Sequence, residues 1–298
     1  MTEERCHRQQ GSLSIKRACE LVSISRSWYY AYQRRDLGQD TELQDVIERI
    51  VLDQPGYGYR RVTAQLQRMG YVANHKRVLR IMRENSWLCR LVRQKRVTTQ
   101  SNHGEPTHAN LLPQTEISGI NQVWVADITY IRLRNEFVYL AVILDAYSRK
   151  VVGWNLSDRL DVTLSLTALE AALAIRRVPP GVIHHSDRGV QYAAAAYVEL
   201  AESAGMRLSM SRKACPTDNA QAESFFRTLK VEQVYLSEYR DYHDAHSQIA
   251  HFIEDVYNRK RLHSSLGYAP PVEFEEALRA KEHNASCQSP LVPELAVS

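Results

Sequence analysis

The sequence predicts an α/β domain built on a mixed five-stranded sheet and preceded by an all-helical, basic region. Three observations support this prediction. Apolar residues recur at helical spacing up to about residue 88. From residue 121 onward, runs of β-branched and aromatic residues replace that spacing. Between the two regions, residues 97–120 are polar with scattered glycine and proline, which is typical of a linker.

The N-terminal unit, residues 1–36, contains a helix-turn-helix pattern between residues 12 and 33. Apolar residues keep helical spacing before a tight turn, and Ser25 is placed to cap a second helix that begins with Arg26. Arg26 is therefore a candidate DNA contact. The alternative interpretation is an ordinary helical hairpin.

The second unit, residues 37–96, is predicted to be helical over 41–52, 59–69 and 74–85. Residues 55–96 hold eleven basic residues and one acid, Glu84. A merely solvated helix face would mix signs, so this imbalance favours a phosphate-binding surface. The candidate DNA contacts here are Arg60, Arg61, Lys76, Arg77 and Arg80.

Residues 121–280 form the predicted α/β domain, and residues 281–298 form a tail without a clear pattern. Three strands with short turns indicate an antiparallel meander. Further elements are a helix at 162–177, a strand at 182–187, a helix near 194–204, a strand at 207–210, and helices from Asp218 and over about 243–258. This order of elements is that of an RNase H-like fold, with helices on both faces of the sheet.

Composition excludes several classes of protein. The chain has 298 residues, enough for two or three domains, and its five cysteines are scattered without a C-x-x-C pair. A disulfide framework and a thiolate zinc site are therefore not expected. The longest apolar run, 137–144, is too short to span a membrane, and the N-terminus lacks a signal peptide. We expect a cytoplasmic, nucleoid-associated protein with no membrane partner.

The stretch "VIHHSD" has two histidines, a serine and an aspartate at the end of a predicted buried strand. Side chains alternate along a strand, so His185 and Asp187 share one face while His184 and Ser186 share the other. That alternation excludes a local Ser-His-Asp triad, and it prevents the adjacent histidines from chelating one zinc ion. Asp187 remains, either as a ligand at the strand end or as the cap of the next turn.

Two further acids lie in patterned segments. Asp127 interrupts an apolar strand, where an unpaired charge would cost several kcal/mol, so it needs a cation, a hydrogen-bond network or solvent. Glu223, Arg227 and Lys230 share one helix face. Glu223 is either a metal ligand flanked by phosphate-holding cations or half of a surface pair with Arg227. Asp218, with Gln221 three residues later, predicts a capping box that starts this helix.

Taken together, Asp127, Asp187 and Glu223 predict a metal site. Thirty-five residues separate Asp187 from Glu223. Three oxygen donors without cysteine suit Mg²⁺ or Mn²⁺. Two such ions ~4 Å apart can bind the attacking and leaving oxygens of an in-line phosphoryl displacement. Asp145, by contrast, ends a strand and is predicted to serve a turn.

The chain resembles insertion-sequence transposases of the IS-three family, the second-frame (OrfB-type) proteins with a DDE core, and more distantly the retroviral integrase core. The stretches that carry the resemblance span about 121–271, and the similarity extends upstream through "PGYGYRRV" and "SISRSWYY". They are "NQVWVADITYI", "YLAVILDAYSRKVVGW", "IHHSDRGVQY", "SMSRKACPTDNAQAESFFRTLK" and "YNRKRLHSSLGYAPP".

The resemblance implies that Asp127, Asp187 and Glu223 are the catalytic triad and that Lys230 contacts DNA at the element end. Asp127 would bridge two Mg²⁺ or Mn²⁺ ions, and the other two acids would each hold one. His185 either orients ligands or is simply a packed histidine. Residues with a possible auxiliary role are Asn219 and the "YN-x-x-R-x-H" set, Tyr257, Asn258, Arg261 and His263, which either bind DNA or dock the last helix on the sheet.

The implied activity is cleavage of one strand at each element end, followed by direct attack of the freed 3′-hydroxyl on another phosphodiester. The expected partners are double-stranded DNA (terminal inverted repeats and target), further copies of the chain, and an upstream-frame protein or a frameshift fusion with it. Two alternatives are a non-catalytic DNA-binding regulator derived from such an enzyme and an RNase H-like nuclease that hydrolyses without joining.

Overall fold

A computed structural model of the chain describes residues 14–33, 37–88, 107–213 and 215–287. The chain divides into two compact units, residues 1–49 and 50–298. The predicted linker falls on described residues only from 107, and the predicted tail only up to 287; the remainder of both lies outside the described residues. The boundaries between the predicted domains stay predictions.

The first unit contains helices α1 (Ile15–Leu21) and α2 (Arg26–Gln33) and most of α3 (Leu37–Asp53). The Ser25 hydroxyl accepts a hydrogen bond from the Trp28 N–H at 3.1 Å, which confirms the predicted cap of the second helix. Ser14 caps α1 in the same way, accepting from the Arg17 N–H. The helix–turn–helix order predicted over 12–33 is therefore present in the described part of this segment.

The second unit begins with two basic helices, α4 (Tyr59–Arg68) and α5 (His75–Glu84). Their apolar faces meet through Val62, Leu66, Val78 and Met82, each of which is fully buried. Asn74 caps α5 by accepting from the Lys76 N–H at 2.8 Å. Both helices lie where the helical periodicity predicts them, at 59–69 and 74–85.

The helix pair contacts the C-terminal part of the chain. The buried Tyr57 hydroxyl accepts a hydrogen bond from the Leu262 N–H at 2.7 Å, and Arg61 Nε donates to the Leu262 carbonyl oxygen at 3.0 Å. Arg68 forms a bidentate pair with Glu273 at 2.9 and 2.6 Å. These contacts hold α4 against the segment that carries the "YN-x-x-R-x-H" residues.

The sheet has five strands in the order β3-β2-β1-β4-β5. The first three form the predicted antiparallel meander, while β4 pairs parallel with both β1 and β5. The sheet is therefore mixed, as the order of elements in the sequence predicts. The strands are β1 (Val123–Arg132), β2 (Phe137–Asp145), β3 (Val151–Ser157), β4 (Ile183–Ser186) and β5 (Arg207–Met210).

Helices cover both faces of the sheet and create two apolar layers. One layer packs α6 (Val162–Ile175), α7 (Val190–Ala193) and α8 (Ala195–Ser203) on the sheet. The other packs α9 (Ala220–Glu232) and α10 (Tyr242–His251). Gly153 lets α6 approach β3 closely, since a Cβ there would lie 2.3 Å from the Ala168 carbonyl oxygen.

The predicted capping box at Asp218 is wrong. Asp218 lies in a 3₁₀ turn, Pro216–Asn219, and α9 begins only at Ala220. Its carboxylate instead accepts from the Arg212 guanidinium at 3.0 Å and from Asn110 Nδ2 at 2.9 Å. A charge-assisted bidentate contact is stronger than a cap bond to a neutral N–H, so Asp218 anchors the loop that precedes α9.

Two features of the C-terminal region differ from the predicted pattern. The helix predicted over 243–258 is α10 followed by a π-helical segment, Phe252–Tyr257. A further helix, α11 (Pro271–Cys287), was not predicted and runs into the presumed tail. Within the described ranges, no helix is both long enough and apolar enough to cross a membrane.

Helix α11 is attached to the sheet by a buried carboxylate. Glu275 accepts from the Ser148 hydroxyl at 2.6 Å and from the Arg176 guanidinium at 2.5 Å, and Lys150 Nζ lies 3.5 Å away. Ser148 and Lys150 belong to the turn between β2 and β3, and Arg176 follows α6 directly. One side chain therefore joins α11 to the sheet and to the helix on its far face.

We predict that Glu275→Ala lowers the free energy of unfolding by about 3 kcal/mol, because it leaves the Arg176 guanidinium buried without its carboxylate. Urea unfolding would measure the change. The matched control is Glu276→Ala at the adjacent, exposed position, which should stay within about 0.5 kcal/mol of wild type. Equal effects of the two substitutions would contradict the anchoring role of Glu275.

Candidate active site

The parallel pairing of β1 with β4 brings Asp127 beside Asp187. The last paired residues are Val125 and His185. Asp127 follows two residues later within β1, and Asp187 follows two residues later, directly after the end of β4. Neighbouring strands are ~4.8 Å apart, so the two carboxylates occupy adjacent positions at one edge of the sheet. The structure therefore joins two acids that are far apart in the sequence.

The pKa of Asp127 reflects its burial and the charges around it. Burial raises the pKa of Asp127 well above its ordinary value, and the neighbouring charge of Asp187 raises it further. The hydrogen bond from the Ile128 N–H, at 2.8 Å, and the positive charge of Lys230 act in the opposite direction. The positive charge of Lys230 does not offset the burial and the repulsion that act on Asp127, so an added cation beside Asp127 would be favoured.

The turn after β4 holds the Asp187 carboxylate. Asp187 Oδ1 accepts a hydrogen bond from the Gly189 N–H at 2.9 Å. A Cβ on Gly189 would lie only 3.0 Å from that oxygen, which explains why the turn carries glycine two residues after the aspartate. The "DRG" stretch therefore fixes the direction of the side chain as well as the end of the strand.

Glu223 reaches the site from the first turn of α9. Its side chain is exposed, partial burial raises its pKa, and its charge contributes to the raised pKa of Asp127. Asn219, just before the helix, donates from Nδ2 to the Ala126 carbonyl oxygen at 3.0 Å. That bond ties the start of α9 to the residue before Asp127, so Asn219 positions Glu223 against the sheet.

The two cations that follow Glu223 face different surroundings. Lys230 Nζ lies 5.1 Å from the centre of the Tyr130 ring on β1, and the charge of Asp127 acts on it. Arg227 is exposed and lines a cleft on another side of α9. Lys230 therefore lies near Asp127, whereas Arg227 lies at the edge of the cleft.

The adjacent histidines occupy opposite faces of β4, as predicted. His184 Nε2 hydrogen-bonds the Tyr197 hydroxyl at 2.7 Å, while the two ring nitrogens of His185 lie 2.8 and 3.0 Å from the hydroxyls of Ser209 and Ser211. Burial lowers the pKa of each histidine to about 4. His185 is thus a neutral, fully hydrogen-bonded side chain beneath Asp187.

Tyr192 is a buried residue near the two aspartates that the sequence pattern does not predict. Its hydroxyl is buried and has no hydrogen-bond partner among the described residues. Burial raises its pKa well above the ordinary value, and the charges of Asp127 and Asp187 raise it further. The signal was present in "SDRGVQY", where α7 begins three residues after Asp187 and brings Tyr192 back under both aspartates.

The "YN-x-x-R-x-H" residues make docking contacts. The Asn258 amide pairs with both the N–H and the carbonyl oxygen of Val151, each at 3.0 Å. Arg261 forms a bidentate pair with Glu232 at the end of α9, with both distances 2.7 Å. Tyr257 packs edge-on against Phe225 and His263, with ring centres 4.8 Å apart in each case. Tyr257, Asn258 and Arg261 therefore fix the C-terminal segment to β3 and α9.

The donor set has the right chemistry for a hard divalent cation. Three carboxylates and no thiolate approach one edge of the sheet, and oxygen donors suit Mg²⁺ or Mn²⁺. Within the described ranges, however, no three His, Cys, Asp or Glu side chains are close enough to hold one ion together. Asp127 and Asp187 follow paired positions of β1 and β4, and the three carboxylates would have to come closer together to hold one ion.

Comparisons with known proteins agree with this architecture. Sequence models of families described as "Integrase core domain" match residues 118–216 and 204–271, and that of an "HTH-like domain" matches 39–96. The "Insertion element IS600 uncharacterized 31 kDa protein" of Shigella sonnei is 39% identical over 267 residues, covering 87% of this chain and 97% of that protein. "Transposase InsF for insertion sequence IS3A" of Escherichia coli (strain K12) is 37% identical over 276 residues, covering 90% and 96%.

The chain belongs to the IS3 family of transposases. It combines an HTH-like region with an integrase core, the fold of a polynucleotidyl transferase family. Membership in this family implies DNA binding and a role in DNA transposition.

Two retroviral integrase structures match this chain with low TM-scores. One is the simian T-cell lymphotropic virus intasome in complex with PP2A regulatory subunit B56 gamma, with a TM-score of 0.44 and 18% identity over 82% of this chain and 75% of that one. Another is the HTLV-2 integrase catalytic core in complex with magnesium, with a TM-score of 0.40 and 12% identity over 52% and 95%.

The DNA contacts predicted for the helical region of this transposase are unequally exposed. Arg26, Arg60 and Lys76 are exposed, with Arg26 and Lys76 in the first turns of α2 and α5. Arg80 is half-buried and pairs with Glu84 at 2.8 Å, and Arg77 is also half-buried. Arg61 turns inward to the Leu262 carbonyl oxygen.

The neutral state of His184 makes stability depend on pH. Folding lowers the pKa of His184 from 6.5 to about 4. The contribution of the neutral side chain to the free energy of unfolding is therefore complete above pH 6.5. As the pH falls toward 4, the unfolded chain takes up the proton first and this contribution is lost.

We predict that His184→Gln reduces the pH slope of the unfolding free energy by about 1.4 kcal/mol per pH unit within that window. Urea unfolding at a series of pH values would measure the slope. His243→Gln replaces an exposed histidine on α10 and should keep the wild-type slope. A slope in His184→Gln equal to that of wild type would rule out a buried neutral His184.

Proposed function

We propose that this transposase cuts one DNA strand at each end of its element and joins the freed 3′-hydroxyl to a target strand, with Asp127, Asp187 and Glu223 as the catalytic acids. The observation that carries the proposal is the parallel register of β1 and β4, which places the two aspartates side by side. Glu223, on a helix tied to β1 by Asn219, supplies the third carboxylate.

The carboxylates of Asp127, Asp187 and Glu223 would hold two Mg²⁺ or Mn²⁺ ions. When bound, such ions neutralise developing charge on the reacting phosphate and lower the pKa of an attacking hydroxyl. The raised pKa of Asp127 supports this assignment, because burial and the charge of Asp187 leave that carboxylate in need of a cation.

Other side chains of the site would orient the strand. Lys230, half-buried beside Tyr130, is placed to hold a phosphate close to Asp127. Tyr192 lies close enough to both aspartates for their charges to raise its pKa, and its hydroxyl has no hydrogen-bond partner among the described residues. Arg26, Arg60 and Lys76 are exposed on the basic helices and are proposed contacts to the terminal repeats.

We predict that Asp127→Asn abolishes Mg²⁺-dependent nicking and joining of DNA that carries the element ends, with a fall of at least about a thousandfold, while end binding persists. Cleavage and joined products would be resolved on denaturing gels, with and without the upstream-frame protein. Asp158→Asn, at an exposed acid, is the matched control. Equal nicking by wild type and Asp127→Asn would overturn the proposal, and nicking without joined products would indicate a nuclease.

A second prediction does not depend on activity. Mg²⁺ should stabilise the wild-type protein by about 1.4 kcal/mol at tenfold excess over its dissociation constant, and it should not stabilise Asp127→Asn. In metal-free buffer, Asp127→Asn should be at least as stable as wild type, because it removes a carboxylate whose charge is disfavoured. Urea unfolding with and without Mg²⁺ measures both effects. A Mg²⁺ effect of the same size in the two proteins would place the ion elsewhere.

A further inference from the structure

A cleft of about 270 Å³ opens beside the active site, on another side of α9. Its walls come from α9, from the turn between β2 and β3, from the segment after the π-helical turn, and from the start of α4. Four arginines line it, namely Arg61, Arg149, Arg227 and Arg261.

The charges that line this arginine cleft do not balance. Glu232 is the one carboxylate among the lining residues, and its bidentate bond is to Arg261. Arg61 donates to a neutral carbonyl oxygen, that of Leu262. Neither the Arg149 nor the Arg227 guanidinium has a hydrogen bond or an ion pair with any described residue. The cleft therefore carries an excess of positive charge.

Arg149 is the most unusual of the four. It is half-buried, and its backbone adopts a left-handed conformation (φ 63°) that residues other than glycine rarely take. The surroundings thus hold a cation at a place where water covers it only in part, and no described carboxylate contacts it. Strained backbone of this kind is characteristic of ligand sites.

His263 provides an independent sign of an incomplete polar site. It lies in the cleft wall and is only 8% exposed, yet its Nε2 has no hydrogen-bond partner among the described residues. A buried polar atom without a partner costs free energy, so native proteins rarely leave one unsatisfied. The same cleft therefore contains an unpaired half-buried cation and an unpaired buried ring nitrogen.

We propose that the arginine cleft binds a backbone phosphate of the DNA strand that enters the active site, with Arg149 and Arg227 as its principal contacts. This inference rests on the proposed function. Arg227 lies one helical turn from Glu223, ~6 Å along the axis of α9. A DNA strand carries a phosphate every ~3.4 Å along its axis, so a neighbouring phosphate is within reach when the scissile one is at Glu223.

The form of the cleft favours a strand over a small free anion. It opens to solvent beside the exposed residues Arg227, Ser264 and Ser265. A chain of phosphates can therefore pass along its mouth while one of them enters. The Glu232–Arg261 pair holds the floor rigidly, and Gly56 leaves room for it, since a Cβ there would lie 2.2 Å from the Glu232 side chain.

Binding of the full-length protein to a duplex carrying the element's terminal repeat, without metal, tests the proposal. Arg149→Gln should weaken binding about tenfold and lower the slope of log Kd against log salt by about 0.9, because one phosphate contact is lost. Arg227→Gln, at an exposed position that cannot disturb the core, should do the same. Arg177→Gln is the matched control, an exposed arginine after α6 on the opposite face of the sheet.

Single methylphosphonate substitutions, which remove the charge of one phosphate, locate the contact. One or two positions close to the cleavage point should weaken wild-type binding and have no further effect on Arg149→Gln. An effect of the same size in both proteins at every position would overturn the proposal. A second result would also overturn it. If millimolar inorganic phosphate stabilises wild type but not Arg149→Gln, and the two proteins bind DNA with equal affinity, the cleft binds a free anion and not the DNA strand.

Failure of this inference can be told apart from failure of the proposed function. If wild type nicks the element ends and Asp127→Asn does not, the active site stands. If Arg149→Gln and Arg227→Gln then bind DNA with the same affinity and salt dependence as Arg177→Gln, only the proposed role of the cleft is rejected. If wild type shows no metal-dependent nicking, the proposed function itself fails, whatever the cleft variants do.

Discussion

The candidate site depends first on the parallel pairing between β1 and β4. That pairing joins the middle of the meander to a strand that arrives only after α6, and it sets Asp127 and Asp187 at adjacent positions. A shift of one residue in the register would turn one carboxylate to the opposite face of the sheet. The apolar layers on both faces oppose such a shift, since it would move fully buried side chains such as Trp124 and Val125 from one packed layer into the other. The packing that stabilises the core therefore also fixes the positions of the two aspartates.

Helix α9 extends this constraint to the rest of the molecule. Its start is tied to β1 through Asn219, and its first turn carries Glu223. Its last turn carries Lys230 and ends at Glu232. Phe225 and Leu229 bury the side that faces the sheet. Through Glu232 and Arg261 the helix also holds the segment that contacts Tyr57 and α4. One helix thus links the candidate catalytic acids, the arginine cleft and a basic helix of the HTH-like region.

Much of the fold follows from the sequence because its elements are strongly patterned. The period-two runs predict the meander, and the helical spacing, with Ser25 as a cap, predicts the helices before residue 88. The turn role of Asp145 is also confirmed, since its Oδ1 accepts from the N–H groups of Tyr147 and Ser148 at 2.9 Å.

What local pattern cannot predict is a partner distant in the chain. Arg212 and Asn110 divert Asp218 from capping α9, and Ser148 and Arg176 stabilise α11, whose charged sequence has no clear apolar stripe. Tyr192 was missed for the same reason, because its two aspartates lie on different strands.

The most direct test is a crystal structure of the wild-type protein with Mn²⁺ and a DNA duplex carrying the element end, in which anomalous scattering locates the metal. We expect Mn²⁺ beside the carboxylates of Asp127 and Asp187, with Glu223 moved inward as a further ligand and the scissile phosphate beside it. Mn²⁺ bound away from Asp127, or a scissile phosphate that does not approach the three acids, would contradict the assignment of the active site.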